Sequence, residues 1–182
     1  RGLLKQMDHP TAGRMSYIDN PVRFSGAPPA DRRPPPLFAE HTDEVLRDLG
    51  LTEDRIADLR DDVIALTQAL IRIPTLNRPG ADYAAICDLL KTRLEASRFA
   101  CTLIRATGTP GDSDRYPRWN LIARRDGTRP GPCVHFNSHT DVVEVGQGWT
   151  RDPFGAELDD DRIYGRGACD MKGGLATSIT AA

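Results

Sequence analysis

The sequence predicts an α/β layered domain preceded by a proline-rich coil and short helices. Three observations carry this. The first 36 residues are rich in proline, glycine and arginine without helical or strand period. From about Leu59 apolar residues recur at helical spacing. Short apolar runs and glycine-rich turns then alternate with helix-like segments to the end.

In chain order, "FSGAPPADRRPPPLF" typifies an extended polar coil. "TDEVLRDLGLTEDRIADLR" predicts a helix capped by Thr42, with Asp43 and Glu44 in its first turn and Val45, Leu46 and Leu49 on one face. A second short helix is predicted from Thr52, capped by its hydroxyl, with Ile56 and Leu59 inward. "DDVIALTQALIRIP" places Val63, Leu66, Ala69, Leu70 and Ile73 on one helical face and stops at Pro74. The division expected is therefore 1–59 and 60–182. A further helix carries Tyr83, Ile86, Leu89, Leu90 and Leu94 as its inner stripe. "ACTLIRA", "WNLIARR" and "PCVHFNSH" read as three strands, and another helix is expected after Lys172.

Composition narrows the function classes. A net charge of −2 with scattered lysines and arginines provides no basic field for nucleic acid or an acidic membrane. No apolar stretch approaches a membrane span, and the N-terminal residues lack the apolar core of a secretory signal, so a cytoplasmic protein is expected. The four cysteines, Cys87, Cys101, Cys133 and Cys169, form no C-x-x-C pair and read as reduced, mostly buried thiols.

The chemistry concentrates in "CVHFNSHTDVVEVGQGWTRDPFGAELDDDRIYGRGACDMKGG". An apolar run arrives at His139, and Asp141 follows two positions on, on the same face of an extended backbone. A zinc-bound histidine commonly donates its second ring N–H to a carboxylate, although such a pair can also serve jointly through a third group. Asp170 follows the short strand Arg162 to Tyr164 and sits among Gly165, Gly167, Gly173 and Gly174, which permit a sharp turn and a close approach. Both His139 and Asp170 follow strand-like runs, where ligand sites of α/β sheets lie. Their competing readings are a surface histidine beside a turn aspartate, and a solvated aspartate in a glycine-rich turn.

"SHTDVV", "GWTRDPF" and "YGRGACDMKGG", with "LIRIPTLNRPG" upstream, resemble the zinc metallopeptidase family of aminoacylase, acetylornithine deacetylase, succinyl-diaminopimelate desuccinylase and the glutamate carboxypeptidases, over about 60–182. The resemblance implies part of a three-layer catalytic domain, a mixed sheet with flanking helices. It implies that His139 is a ligand of one zinc, that Asp141 is the catalytic carboxylate orienting it, that Asp170 bridges two zinc ions, and that the Asp170–Met171 peptide is cis. Cobalt or manganese also suits such donors. The implied substrate is a small N-acyl amino acid, and the complete protein would allow a homodimer. The family's glutamate pair, a further carboxylate and a late histidine ligand fall beyond Ala182. The chain is therefore expected to be a truncated fragment, nearly inactive alone, and Arg1 in place of methionine suggests that it also begins inside a longer frame.

Residues 2–59 resemble the carboxyl tail of class III CoA-transferases, which implies no catalytic residue here and leaves His9 and His41 structural. The alternative functions are thus a CoA-transferase-related protein, or a non-catalytic remnant that binds metal or ligand. Elsewhere the expectations are a core position for His135, a buried thiol for Cys169, and a site wall or core role for Trp149 and Phe154. The acidic residues Glu157, Asp159, Asp160 and Asp161 read as a solvated hairpin turn rather than a calcium loop. Lys172 either contacts a substrate carboxylate or faces water.

Overall fold

The computed structural model describes residues 3–19, 21–22, 25–26, 33–37 and 39–182. Its contacts divide into two compact units, Arg1–Ile56 and Ala57–Ala182.

In the first unit the coil expectation is corrected. Strands β1 (Leu4–His9) and β2 (Gly13–Ile18) form an antiparallel hairpin, with Met7 opposite Met15. The turn is built locally. His9 Nδ1 accepts hydrogen bonds from the backbone N–H of Thr11 at 3.2 Å and of Ala12 at 3.0 Å, and the chain reverses at Gly13. Part of the proline-rich run lies outside the described residues, and 33–37 carry no helix or strand. Helix α1 (Thr42–Asp48) begins one residue earlier than expected, with His41 at its N-cap and no side-chain cap. None of its residues is buried, and Val45 and Leu49 face solvent.

Helix α2 runs unbroken over Glu53–Ile71, where two helices had been expected. Its start does use the hydroxyl of Thr52, whose Oγ1 accepts from Arg55 N at 3.3 Å. Nothing between Leu59 and Asp62 breaks a helix, since that stretch holds neither glycine nor proline.

In the second unit the core is Leu66 and Leu70 of α2, Ile86, Cys87 and Leu90 of α3 (Tyr83–Ala96), and Leu175 and Ala176 of α4 (Gly173–Ala181). Leu103 of β3 (Ala100–Arg105) and Trp119 and Leu121 of β4 (Trp119–Arg124) pack on it from the inward face of an antiparallel pair. The period-2 alternation of both strands puts Ile104 and Ile122 on the opposite, exposed face. Strands β5 (Glu157–Asp159) and β6 (Arg162–Tyr164) form the expected hairpin.

The third strand expected at 132–139 does not form. Val134 and Phe136 are exposed, and among the described residues no strand pairs with this run, so its apolar pattern has no ladder to join. Extended pairing begins only at Val142, which makes a parallel bridge with Leu76. Instead of one mixed sheet, the described residues form three two-stranded sheets. Among them no helix is long and apolar enough to cross a membrane.

Candidate metal centre

Two loops meet at His139. The first, 139–142, is held by the segment after α2. Val142 N donates to Thr75 O and Asn77 N to Val142 O, each at 2.9 Å, while the Thr75 hydroxyl donates to Thr140 O. Thr75 and Val142 are buried, so the anchor lies beneath the surface that His139 and Asp141 occupy.

The second loop carries Asp170 between β6 and α4. Gly167 lies at φ +85°, and a Cβ there would come within 2.5 Å of Val142 Cγ1, so the two loops approach closely only because this residue is glycine. Asp170 itself is extended, at φ −131° and ψ 96°, and the Asp170–Met171 peptide is cis. Met171 Sδ accepts from His139 N at 3.4 Å.

These turns bring the three candidate residues together. His139 Nε2 lies 2.9 Å from Asp170 Oδ1, and His139 Nδ1 lies 3.1 Å from the Asp141 carbonyl and 3.2 Å from its Oδ1. Desolvation alone would lower the imidazole's pKa. The Asp170 hydrogen bond, the Asp141 carbonyl and the two carboxylate charges outweigh it, and the value is raised above the ordinary 6.5.

The donor set fits part of a zinc site. Donors about 2.0–2.2 Å from a tetrahedral ion lie roughly 3.3–3.5 Å apart. Nε2 and Oδ1 stand a few tenths of an ångström short of that, a gap that a small rotation of the exposed Asp170 carboxylate closes. Among the described residues, however, no group of three or more histidine, cysteine, aspartate or glutamate side chains gathers as a cage. The centre presents two corners.

Three neighbouring expectations are corrected. Lys172 neither faces water nor reaches outward. It is fully buried, and its Nζ donates to Leu70 O at 2.8 Å and Ile73 O at 2.7 Å at the carboxyl end of α2. Desolvation pushes its pKa down to about 8. His135 is exposed, because its run lacks a sheet to bury it. Cys169 and Cys133 are exposed free thiols, and of the four cysteines only Cys87 is buried. In the β5–β6 hairpin, Arg151 pairs with Glu157 at 2.7 Å and with Asp159 at 2.6 Å. Trp149 anchors its own loop by donating to Val145 O at 2.7 Å.

Sequence reasoning missed Thr75, Asn77 and Arg118. Asn77 Nδ2 donates to Asp141 Oδ2 at 2.6 Å, and Arg118 Nη1 donates to Asn77 Oδ1 at 3.0 Å. The motif "LIRIPTLNRPG" was the available signal, because it sets polar Thr75 and Asn77 directly after an apolar helix end.

Glycine-bounded loops thus bring a histidine and two aspartates together on one α/β unit. Residues 135–182 match the model of peptidase family M20/M25/M40. The chain is also similar to succinyl-diaminopimelate desuccinylases. It is 42% identical over 120 residues to that of Rhodospirillum rubrum and 43% identical over 122 residues to that of Caulobacter sp. strain K31, in each case 66% of this chain and 28% of the relative. To that of Cereibacter sphaeroides it is 39% identical over 123 residues, 66% of this chain and 29% of the relative. The chain thus spans under a third of the length of these curated relatives. These similarities lend no support to the CoA-transferase resemblance of residues 2–59.

Proposed function

We propose that residues 57–182 carry part of the metal centre of an amidohydrolase that cleaves a small N-acyl amino acid of the N-succinyl-diaminopimelate class. The observation that carries this reading is the 2.9 Å approach of His139 Nε2 to Asp170 Oδ1 from separate loops, within a segment whose relatives are named desuccinylases. His139 and Asp170 are the residues that would hold zinc. Asp141, with its carbonyl 3.1 Å and its Oδ1 3.2 Å from His139 Nδ1, would hold the ring with Nε2 towards Asp170. A bound zinc pair would supply a water of lowered pKa and polarise the amide carbonyl. The Asp170 carboxylate, largely open with one oxygen on His139, would be the other donor to the metal.

The donor count favours a second reading for the chain by itself, namely that it holds zinc without turnover. Equilibrium dialysis with zinc tests the common element. The wild type is expected to bind, and His139→Ala and Asp170→Asn to lose that binding; unchanged affinity in both variants refutes the centre. Adding N-succinyl-diaminopimelate to the zinc-loaded chain then separates the readings, since hydrolysis supports the first and its absence the second.

A further inference from the structure

Lys172 takes no part in the chemistry proposed above, yet it follows Asp170 closely in the chain and is fully buried. Its stem runs inward beside Gly167, where an added Cβ would stand 3.5 Å from Lys172 Cδ. Its ammonium ends at the carboxyl end of α2, donating to Leu70 O at 2.8 Å and to Ile73 O at 2.7 Å. Carbonyls at a helix end fall outside the regular ladder and carry the negative end of the helix dipole, so a cation suits them. At the near end of the same residue, Lys172 N donates to Gly167 O at 2.9 Å and closes the turn that carries Asp170. Gly165 seats that turn on the same helix end, since a Cβ there would stand 2.6 Å from Ile71 Cγ2.

The loop of His139 is fastened to the continuation of that helix end. Thr75 O accepts from Val142 N at 2.9 Å, and the Thr75 hydroxyl donates to Thr140 O. Residues 70–75 are therefore a common frame, gripped by the Asp170 loop through Lys172 and by the His139 loop through Thr75. Direct ties between the loops are the close approach of Gly167 to Val142 and a sulfur acceptor, Met171 Sδ, 3.4 Å from His139 N. Hydrogen bonds from an ionised donor are roughly twice as strong as neutral ones, which makes the ammonium the firmest fastening of the Asp170 turn. The Asp170 side chain is 87% exposed, so its 2.9 Å approach to His139 Nε2 depends on the backbone beneath it.

We propose that Lys172 is a positioning residue: by tying the Asp170 turn to the helix end that also carries the His139 loop, it sets the spacing between the Asp170 carboxylate and the His139 ring. This rests on the metal-centre reading for its purpose, but its geometric claim is separable from it. A lysine that served stability alone would strengthen the fold without bearing on that spacing.

The test is Lys172→Met, which keeps the bulk of the stem and removes the ammonium. Leu90→Ala opens a cavity in the same core, on α3 and outside both loops, and is the comparison for loss of stability alone. Each 182-residue protein is measured well below its unfolding midpoint, in sucrose, which favours the compact state. Nuclear Overhauser contacts from the Met171 ε-methyl to the His139 amide, and from the His139 ring to the Asp170 methylene, read the spacing, and cobalt(II) titration reads its consequence. In Lys172→Met both contacts are expected to be lost and cobalt affinity to fall about 10–100-fold, as for residues that orient metal ligands from behind. Leu90→Ala is expected to keep both contacts and the wild-type affinity. Lys172→Gln, whose amide still donates from a shorter stem, should weaken the contacts and the affinity in the same direction, and it carries the test if methionine prevents folding. Contacts retained in the residue 172 variants, or lost equally in Leu90→Ala, overturn the proposal, as does an unchanged affinity beside a wild type that binds. If the contacts are lost in Lys172→Met while the wild type takes up no cobalt, the positioning role stands and the metal reading fails. If wild type and Lys172→Met bind cobalt alike with both contacts intact, the positioning role fails and the metal reading stands.

Discussion

Replacing Lys172 with methionine removes a buried cation with little change in volume, and the consequences can be worked through. The ammonium makes two hydrogen bonds, to Leu70 O and Ile73 O. Each hydrogen bond to a charged group contributes about 1.5–3 kcal/mol, so Lys172→Met forfeits about 3–6 kcal/mol. Against this stands the burial of charge. Depression from the ordinary 10.5 to about 8 corresponds to about 3 kcal/mol at neutral pH, which methionine would recover. The net loss lies between near zero and about 3 kcal/mol, or up to roughly 12 °C in midpoint for a unit of this size.

The pH dependence of Lys172→Met has a definite sign. Between about 8 and 10.5 the unfolded lysine keeps its proton while the folded one has lost it. Stability then rises with pH, because the unfolded state binds more protons. The neutral amine still has two donors for two carbonyls. The wild type should therefore gain about 3 kcal/mol on Lys172→Met across this window, read by thermal denaturation at a series of pH values. A variant as stable as the wild type at neutral pH, with a difference independent of pH, would refute the burial of a depressed lysine.

Gly167→Ala should destabilise by about 2–4 kcal/mol, since it combines a positive φ with a Cβ 2.5 Å from Val142 Cγ1. Chemical denaturation checks this, and a loss under about 0.5 kcal/mol would show that the loops do not meet so closely. The thiols divide by burial: Cys133 and Cys169 should alkylate under native conditions, whereas Cys87, its thiol pushed up to about 11 by desolvation, should react only on unfolding. Mass spectrometry of peptides after a short alkylation pulse reads the order, and early labelling of Cys87 would contradict the packing of α3.

What was legible in the sequence was what depends on near neighbours. Tyr83, Ile86, Leu90 and Leu94 repeat at helical spacing and are buried together, and the β5–β6 hairpin follows from its acidic turn. His139 and Asp170 stood out because glycines and apolar run ends are local signals. The β1–β2 hairpin was hidden by reading Pro10 and Gly13 as coil composition rather than as the punctuation of a turn whose acceptor is His9. The strand at 132–139 was legible as an apolar run, but a run becomes a strand only with a partner. Lys172 and Asn77 were illegible in role for another reason. Their partners lie far along the chain, 102 residues away for Leu70 and 41 for Arg118, and no local pattern encodes such pairings.

The central claim is that two loops, one bearing His139 and one bearing Asp170, serve the same cation. Substoichiometric manganese(II) added to ¹⁵N-labelled protein tests it directly, because paramagnetic broadening falls steeply with distance from the ion. Backbone amides of 139–141 and of 169–171 should broaden together at the lowest additions, and His139→Ala should abolish both effects. Broadening that starts at the 157–161 carboxylates, or that touches one loop and spares the other, would contradict the shared centre.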